Sequence, residues 1–276
     1  MAQHPAKLRQ VVILKQHREL TMHHTGLEIY ANASTLCEAA ANRVMDLADD
    51  AITDQGEFHI ALAGGSTPRM LYSLLALSPY KEGINWQQFH VYFGDERCVT
   101  PDHNDSNFKM ASDSLLSHVP IPQANIHRIV AELDDHDMAA QQYAETLTHH
   151  IPCVYELPIF DLVLLGIGPD GHIASLFPDT SALDEYNRLA TAVYIEKFDS
   201  WRISLTYPVI NNASHIIIFA SGEGKADIVQ SVLGDKPNNS RGDNAVLLPV
   251  QRIQPRAEMT WLVDANAAKY IRQSND

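Results

Sequence analysis

The sequence predicts an α/β protein, a single domain built on a mainly parallel sheet covered by helices. Three observations lead there. From about Leu27 onward, short apolar runs of strand character alternate with segments of helical periodicity. Polar, glycine-bearing loops follow several of the runs, as they do at the carboxyl ends of strands in open α/β sheets. No Gly/Ser-rich or Pro-rich linker and no internal repeat divides the 276 residues.

Taken in order, residues 1–26 read as an N-terminal extension, loose or paired at the sheet edge, and residues 27–276 as the domain. Leu27–Tyr30 (LEIY) is a strand. Thr35-Leu36-Cys37-Glu38 reads as a capping box opening a helix whose apolar face carries Leu36, Ala40, Val44 and Leu47. Phe58–Ala63 (FHIALA) is a strand running into GGSTP, where Thr67 is the expected cap and Pro68 the first helical residue. Phe89–Phe93 (FHVYF) is the next strand, and the polar stretch GDERCVTPDHNDSNF after it reads as a long loop closing on a helix near Ser106. DMAAQQYAETLTHH is helical, Phe160–Leu165 (FDLVLL) is a buried strand, and RISLT, HIIIFA and MTWLV are further strands of the sheet. A helix from about Glu223 separates the last two, and Lys236–Asn244 (KPNNSRGDN) reads as a surface loop whose sequon and RGD triplet carry no meaning inside a cell.

Composition narrows the function classes. An apolar fraction of 45% is ample for a core. With 34 acidic against 20 basic side chains the net charge is −14, which repels nucleic-acid backbones and anionic lipid surfaces; neither is an expected partner. Cys37, Cys98 and Cys153 are odd in number, widely spaced and free of any CxxC pattern, so neither a disulfide framework nor a zinc knuckle is indicated and a reducing cytoplasm is expected. The only apolar run near the N-terminus, Val11–Leu14, is too short for a signal sequence.

Chemistry is concentrated in three loops. In Gly64-Gly65-Ser66-Thr67-Pro68, two glycines let the backbone approach an anion and the following helix presents N–H groups, a phosphate cradle that lacks the GK[ST] of a P-loop. Gly94-Asp95-Glu96-Arg97 puts three consecutive charges at a strand end, and the nearby Asp102, His103 and Asp105 match no standard metal-ligand spacing, so no metal is assigned. The third, LLGIGPDGHIASLFP, contains GxGxxG in Gly166, Gly168 and Gly171, but the acidic residues about 20 positions on, Asp184 and Glu185, do not end a strand as a dinucleotide site requires. What the turn delivers instead is Asp170 beside His172, a carboxylate next to a plausible general base. Arg202, opening RISLT, and Lys225, in SGEGK at a strand-to-helix turn, would add positive charge for an anionic ligand.

AGGSTPRMLY, FGDERCVTPDHNDSNF, LLGIGPDGHIASLFP, WRISLT, ASGEGK and WLVD occur in the order seen in 6-phosphogluconolactonases, and the sequence resembles that family over nearly all of its length from residue 27. The resemblance implies a modified Rossmann-like α/β fold with helices on both faces of the sheet, and no cofactor. It implies a sugar-phosphate lactone as substrate, with the phosphate held by Gly64, Gly65, Ser66, Thr67, Arg202 and Lys225. His172 would be the base that activates water; Asp170 and Asp95 would orient it or the substrate hydroxyls, and Arg97 would polarise the substrate or close the loop. Activity is expected to fall with pH through roughly 6–7, with the midpoint moved upward by a nearby ionised Asp95 or Asp170. The related glucosamine-6-phosphate deaminases carry an acidic residue soon after the DGH turn, in a sequence like AFNEP; here the segment reads ASLFP, which favours the lactonase. A deaminase-like enzyme and a non-catalytic sugar-phosphate sensor remain the alternatives, and the oligomeric state is open between monomer and dimer.

Overall fold

Five consecutive buried residues, Phe58–Leu62, form a strand with no exposed face, which is possible only where helices or loops cover the sheet on both sides. The computed structural model describes residues 12–14, 25–234 and 247–271. Its strands are β1 (Val12–Leu14), β2 (Thr25–Tyr30), β3 (Phe58–Leu62), β4 (Phe89–Phe93), β5 (Asp95–Arg97), β6 (Cys153–Val154), β7 (Leu157–Pro158), β8 (Leu162–Gly166), β9 (Ala190–Ile195), β10 (Ser200–Leu205), β11 (His215–Ala220) and β12 (Glu258–Asp264). The α-helices are α1 (Ala33–Gln55), α2 (Ser66–Leu75), α3 (Tyr80–Gly83), α4 (Asn107–Ala111), α5 (His136–His150), α6 (Tyr207–Asn211) and α7 (Ala226–Leu233).

The main sheet has the order β1-β2-β12-β11-β8-β3-β4. Every pairing from β2 to β4 is parallel, and helices flank the sheet; β1 alone runs antiparallel, on the β2 edge, with Val12 opposite Ile29. Within the N-terminal extension, read as loose or paired at the sheet edge, residues 12–14 pair with β2, and most of the rest lies outside the described residues. Strand order reverses between β3 and β8, because the chain moves outward from β3 to β4 and then returns through β8, β11 and β12. In an open α/β sheet that reversal opens a crevice beyond the carboxyl ends of the strands.

Several boundaries and one sheet assignment differ from the sequence reading. Asn32, not Thr35, caps α1: its side chain accepts from Thr35 N–H at 3.0 Å, and Thr35 Oγ1 accepts in return from Asn32 N–H at 3.3 Å. Gly65, not Thr67, is the N-cap of α2, which leaves Pro68 in the first turn but not at its first position. RISLT does not join the main sheet. It forms β10, the centre of a separate antiparallel sheet β5-β10-β9 in which Asp95–Arg97, read as loop, becomes a strand by pairing with Arg202–Ser204. Charged residues have poor strand propensity, and here the tertiary pairing overrides it. The loop reading of Lys236–Asn244 falls outside the described residues. Among the described residues no helix is long and apolar enough to cross a membrane.

Candidate active site

Loops leaving the carboxyl ends of β3, β4, β8 and β11, four adjacent strands, surround a cavity of about 270 Å³ at the strand-order reversal. Its walls include Gly64, Gly65, Ser66, Thr67, Asp95, Arg97, His172, Arg202 and Lys225. Residues read from separate stretches of sequence are thus brought to one place. Asp170 is the exception: it does not line the cavity but sits behind His172, on which it bonds.

The cradle after β3 is held from below. Tyr72, fully buried on α2, accepts from Ala63 N–H and donates to Ala63 C=O, both at 2.9 Å, so the backbone leaving β3 is satisfied without using the groups beyond it. Gly65 then takes φ +111°, a conformation that side-chain-bearing residues rarely adopt, and turns the chain into α2. The helix has no side-chain cap, so its first-turn N–H groups, those of Ser66 and Thr67 among them, are offered to an anion. A second buried tyrosine repeats the device next door: Tyr143 of α5 bonds both Phe93 N–H and C=O at 2.8 Å where β4 ends.

Three cations face this cradle. Pairing of β5 with β10 sets Arg97 directly opposite Arg202, and the Nε of each is buried without a protein partner. Arg97 also donates from Nη1 to Asp105 C=O at 2.6 Å. Burial, followed by the Arg97 guanidinium, pulls the Arg202 pKa below its usual value. Lys225 donates to Ile167 C=O at 2.7 Å, which aims the ammonium across the mouth of β8; burial lowers its pKa too, against a smaller upward pull from Asp170. The turn carrying it is fixed by Asp264, which accepts from Ser221 Oγ at 2.6 Å and from Gly222 N–H at 3.0 Å. In a chain of net charge −14, three converging, partly desolvated cations with unspent donors give this wall the charge a candidate anion site requires. Accordingly, Arg202→Ala or Lys225→Ala should raise KM for a phosphorylated substrate about 10–100-fold, the equivalent of one charge-assisted hydrogen bond, with kcat changed less. Equal KM values for phosphorylated and unphosphorylated lactones in the parent enzyme would remove this anion site.

The turn after β8 explains its own glycines. Gly168 N–H donates to His172 C=O at 2.8 Å and Gly171 N–H to Gly168 C=O at 3.0 Å, closing a tight loop that folds the imidazole back over Gly168. A Cβ on Gly168 would lie 2.0 Å from His172 Nδ1 and 2.6 Å from Asp170 Oδ1. Gly168→Ala therefore displaces the imidazole, and kcat should fall about 10²-fold with inhibition by the reaction product unchanged. Unaltered kcat in this variant would show that the imidazole position does not matter. No helix follows Gly171; residues 173–180 are irregular and Asp184 ends a short 3-10 turn (Ser181–Asp184), so the GxGxxG here serves the packing of a histidine rather than a pyrophosphate.

His172 Nδ1 and Asp170 Oδ1 are 2.5 Å apart, and the Phe177 ring stacks on the imidazole at 3.8 Å between centroids, 20° from parallel. Burial pushes the His172 pKa below its usual value, and the opposing pulls of Asp170 and then Asp95 do not reverse it. The expected upward displacement is thus corrected: the carboxylates are near, but desolvation under Phe177 and the surrounding loop outweighs them. Asp170 itself is drawn below the usual carboxylate range, its own desolvation being outweighed by the His172 hydrogen bond and charge.

Asp95 is buried and its carboxylate is already engaged, accepting from Ser175 Oγ at 2.6 Å and from Asn107 Nδ2 at 3.1 Å. Of the two acids, only Asp170 touches His172. Glu96, adjacent but facing the other way, accepts from the N–H groups of Arg97, Asn107 and Phe108 and from Ser106 Oγ, and so builds the loop that carries Arg97. Burial, against those bonds, leaves its pKa above the usual value. Ser175, Asn107 and Phe177 escaped the sequence reading as site residues. All three lie in stretches that carry the family resemblance, Asn107 in DSN and Ser175 and Phe177 in ASLFP, yet a serine 80 positions from Asp95 gives no local sign of bonding to it. Among the described residues no group of three or more His, Cys, Asp or Glu side chains is arranged to hold a metal ion; His103 Nδ1 instead accepts from Asp105 N–H at 3.1 Å.

Comparison with known proteins agrees with this geometry. The family described as glucosamine-6-phosphate isomerases/6-phosphogluconolactonase matches residues 31–262. The 6-phosphogluconolactonase of a Nostoc species is 38% identical over 242 residues, covering 87% of this chain and 96% of its own. The chloroplastic 6-phosphogluconolactonase 3 of Arabidopsis thaliana is 36% identical, over 89% of this chain and 75% of that one. Among solved structures, the 6-phosphogluconolactonase of Trypanosoma brucei superposes with a TM-score of 0.76 at 28% identity, covering 89% of this chain and 98% of the other. With the cation-lined crevice and its histidine turn, these matches mean that the chain belongs to the glucosamine-6-phosphate isomerase/6-phosphogluconolactonase family, in its 6-phosphogluconolactonase branch.

Proposed function

We propose that this enzyme hydrolyses 6-phospho-D-glucono-1,5-lactone to 6-phospho-D-gluconate, the lactone-opening step of the pentose phosphate pathway, in the cytoplasm, with His172 as general base. The observation that carries the reading is the placement of one oriented imidazole and three cations on the same cavity.

The N–H groups at the start of α2, with Arg202, Lys225 and Arg97, hold the phosphate, which fixes the far end of the substrate and brings the ring within reach of His172. Asp170 accepts from Nδ1–H, so the neutral tautomer has its lone pair on Nε2. Nε2 removes a proton from water as the oxygen attacks C1, giving a tetrahedral intermediate whose carbonyl oxygen carries the charge. Collapse breaks the bond from C1 to the ring oxygen, and the imidazolium returns its proton to that leaving oxygen. Asp170 holds the ring and balances the charge of the imidazolium without itself accepting a proton. Asp95 acts through Ser175 and Asn107, holding the floor of the cavity.

A deaminase needs a further acid near the turn; Phe177 stands in that stretch and packs flat on His172. The deciding experiment follows lactone loss at mildly acidic pH, where spontaneous hydrolysis is slow, in parallel with ammonia release from glucosamine 6-phosphate. Accelerated lactone hydrolysis without ammonia is expected. Ammonia release, or product binding with no acceleration of lactone loss, would replace this reading by the deaminase or the sensor.

A further inference from the structure

Two consecutive residues outside every loop discussed so far converge on the imidazole. The β9–β10 hairpin closes through a 3-10 turn (Glu196–Phe198), with Asp199 in the left-handed region at φ 46° and its carboxylate accepting from Tyr194 Oη. The turn projects Lys197 and Phe198 toward the cavity from the small antiparallel sheet. Lys197 Nζ lies 3.5 Å from Asp170 Oδ2, the carboxylate oxygen that His172 does not use. Phe198 meets Phe177 edge-on at 5.9 Å, and Phe177 is the ring stacked on His172. The other side of Phe198 carries the Arg202 guanidinium at 5.6 Å.

We propose that Lys197 and Phe198 are positioning residues for His172, one acting through the Asp170 carboxylate and the other through the Phe177 ring. This rests on His172 being the base. Lys197 holds Asp170 with its second oxygen occupied, so the carboxylate cannot rotate away from Nδ1, and its positive charge offsets part of the carboxylate field at the ring. Phe198 closes the outer edge of Phe177 and keeps that ring parallel to the imidazole. The charged groups that act on His172 are Asp170 on its own turn, Asp95 from β5 and Lys225 from the turn before α7, while Lys197 of the hairpin reaches it through Asp170. The same tip touches the two groups packed on His172, Asp170 and Phe177, and also Arg202, so the small sheet links the placement of the imidazole to that of the arginine.

The test uses the full chain with isotopically labelled histidine, following the His172 ring by NMR as pH is varied, beside steady-state kinetics. Lys197→Met should raise the His172 midpoint by about 0.5 pH unit, the effect of losing one charge through high-dielectric surroundings, while Lys197→Arg leaves it in place. Phe198→Ala should reduce the ring-current displacement of the His172 resonances and lower kcat several-fold. An unchanged midpoint in Lys197→Met together with a raised KM would make Lys197 a substrate contact and overturn its assignment; unchanged His172 resonances in Phe198→Ala would overturn the other arm. These resonances report on the ring whether or not it is the base. Failure of the general-base reading appears separately, as near-normal kcat in His172→Asn.

Discussion

An enzyme carrying His172→Asn is expected to lose about 10²–10⁴-fold in kcat while binding 6-phosphogluconate almost as tightly as its parent. Asparagine keeps the approximate size and one hydrogen-bonding arm toward Asp170 but offers no proton acceptor to water. The proposed phosphate contacts, at the start of α2 and on Arg202 and Lys225, lie on other elements, so ground-state binding should survive. The pH profile supplies the companion measurement. A base works in its neutral form, and burial moves the His172 pKa down, so activity should stay level as pH falls through 7 and decline only below the ordinary imidazole value of about 6.5. A midpoint above that value would mean that the Asp170 charge, not desolvation, governs the ring. Near-normal kcat in the Asn variant would transfer the role of base to Asp95, an acid on the cavity wall, despite its bonds to Ser175 and Asn107.

How far the sequence could be read follows from where each signal is stored. β3, β8 and β11 are mostly apolar runs, broken only by His59 within β3 and His215 at the start of β11, because both faces are covered, and that pattern is local. β5 is three charged residues whose strand conformation exists only because β10, about a hundred residues later, pairs with it; nothing in Asp95-Glu96-Arg97 reports that partner. β9 lay unread between the ASLFP turn and RISLT, and with it went the hairpin that carries Lys197 and Phe198. The turn after β3 was legible because Gly-Gly followed by a helix start is a local device. Separating the two aspartates was not, since Asp95 and Asp170 both follow strands and only the fold engages one with Ser175 and Asn107 and leaves the other on His172. Even the direction of the His172 shift depended on how deeply the ring is covered, a property of Phe177 and the loop packed around it.

Acid should weaken this protein from about pH 6.5 downward, because of a column of histidines at the opposite end of the sheet from the active site. His59 on β3 and His90 on β4 are register partners with rings 5.1 Å apart. His90 Nδ1 lies 3.3 Å from His127 Nε2, and His127 stacks between Tyr92 at 4.4 Å and His150 at 4.3 Å. His149 abuts His150, and the Glu57 carboxylate faces the group, 3.4 Å from His59 and 3.8 Å from His90. Burial, then the neighbouring imidazoles, takes His59 down to about 3 and His127 to about 4; His90 and His150 are lowered too. In the unfolded chain these rings protonate near 6.5, so below that pH the unfolded state binds more protons and stability falls as pH falls. The stabilisation is complete above about 6.5 and is lost progressively toward 3–4. At pH 4.5 the two most buried rings together account for about 5 kcal/mol, a large part of the 5–15 kcal/mol typical of a folded domain. Two buried acids, Glu96 and Asp161, have pKa values raised by burial and act in the opposite sense, regaining stability as pH falls through those raised values. Tm measured from pH 7 to 4.5 should therefore drop by about 10–15 °C, and unfolding at pH 5 should take up about two protons. His127→Gln, which leaves nothing to protonate at that position, should flatten the slope even if it lowers Tm at pH 7. A Tm that holds level to pH 4.5 with no proton uptake on unfolding would show that the column accepts protons in the folded state, and the burial of His59 and His127 would then carry no energetic consequence.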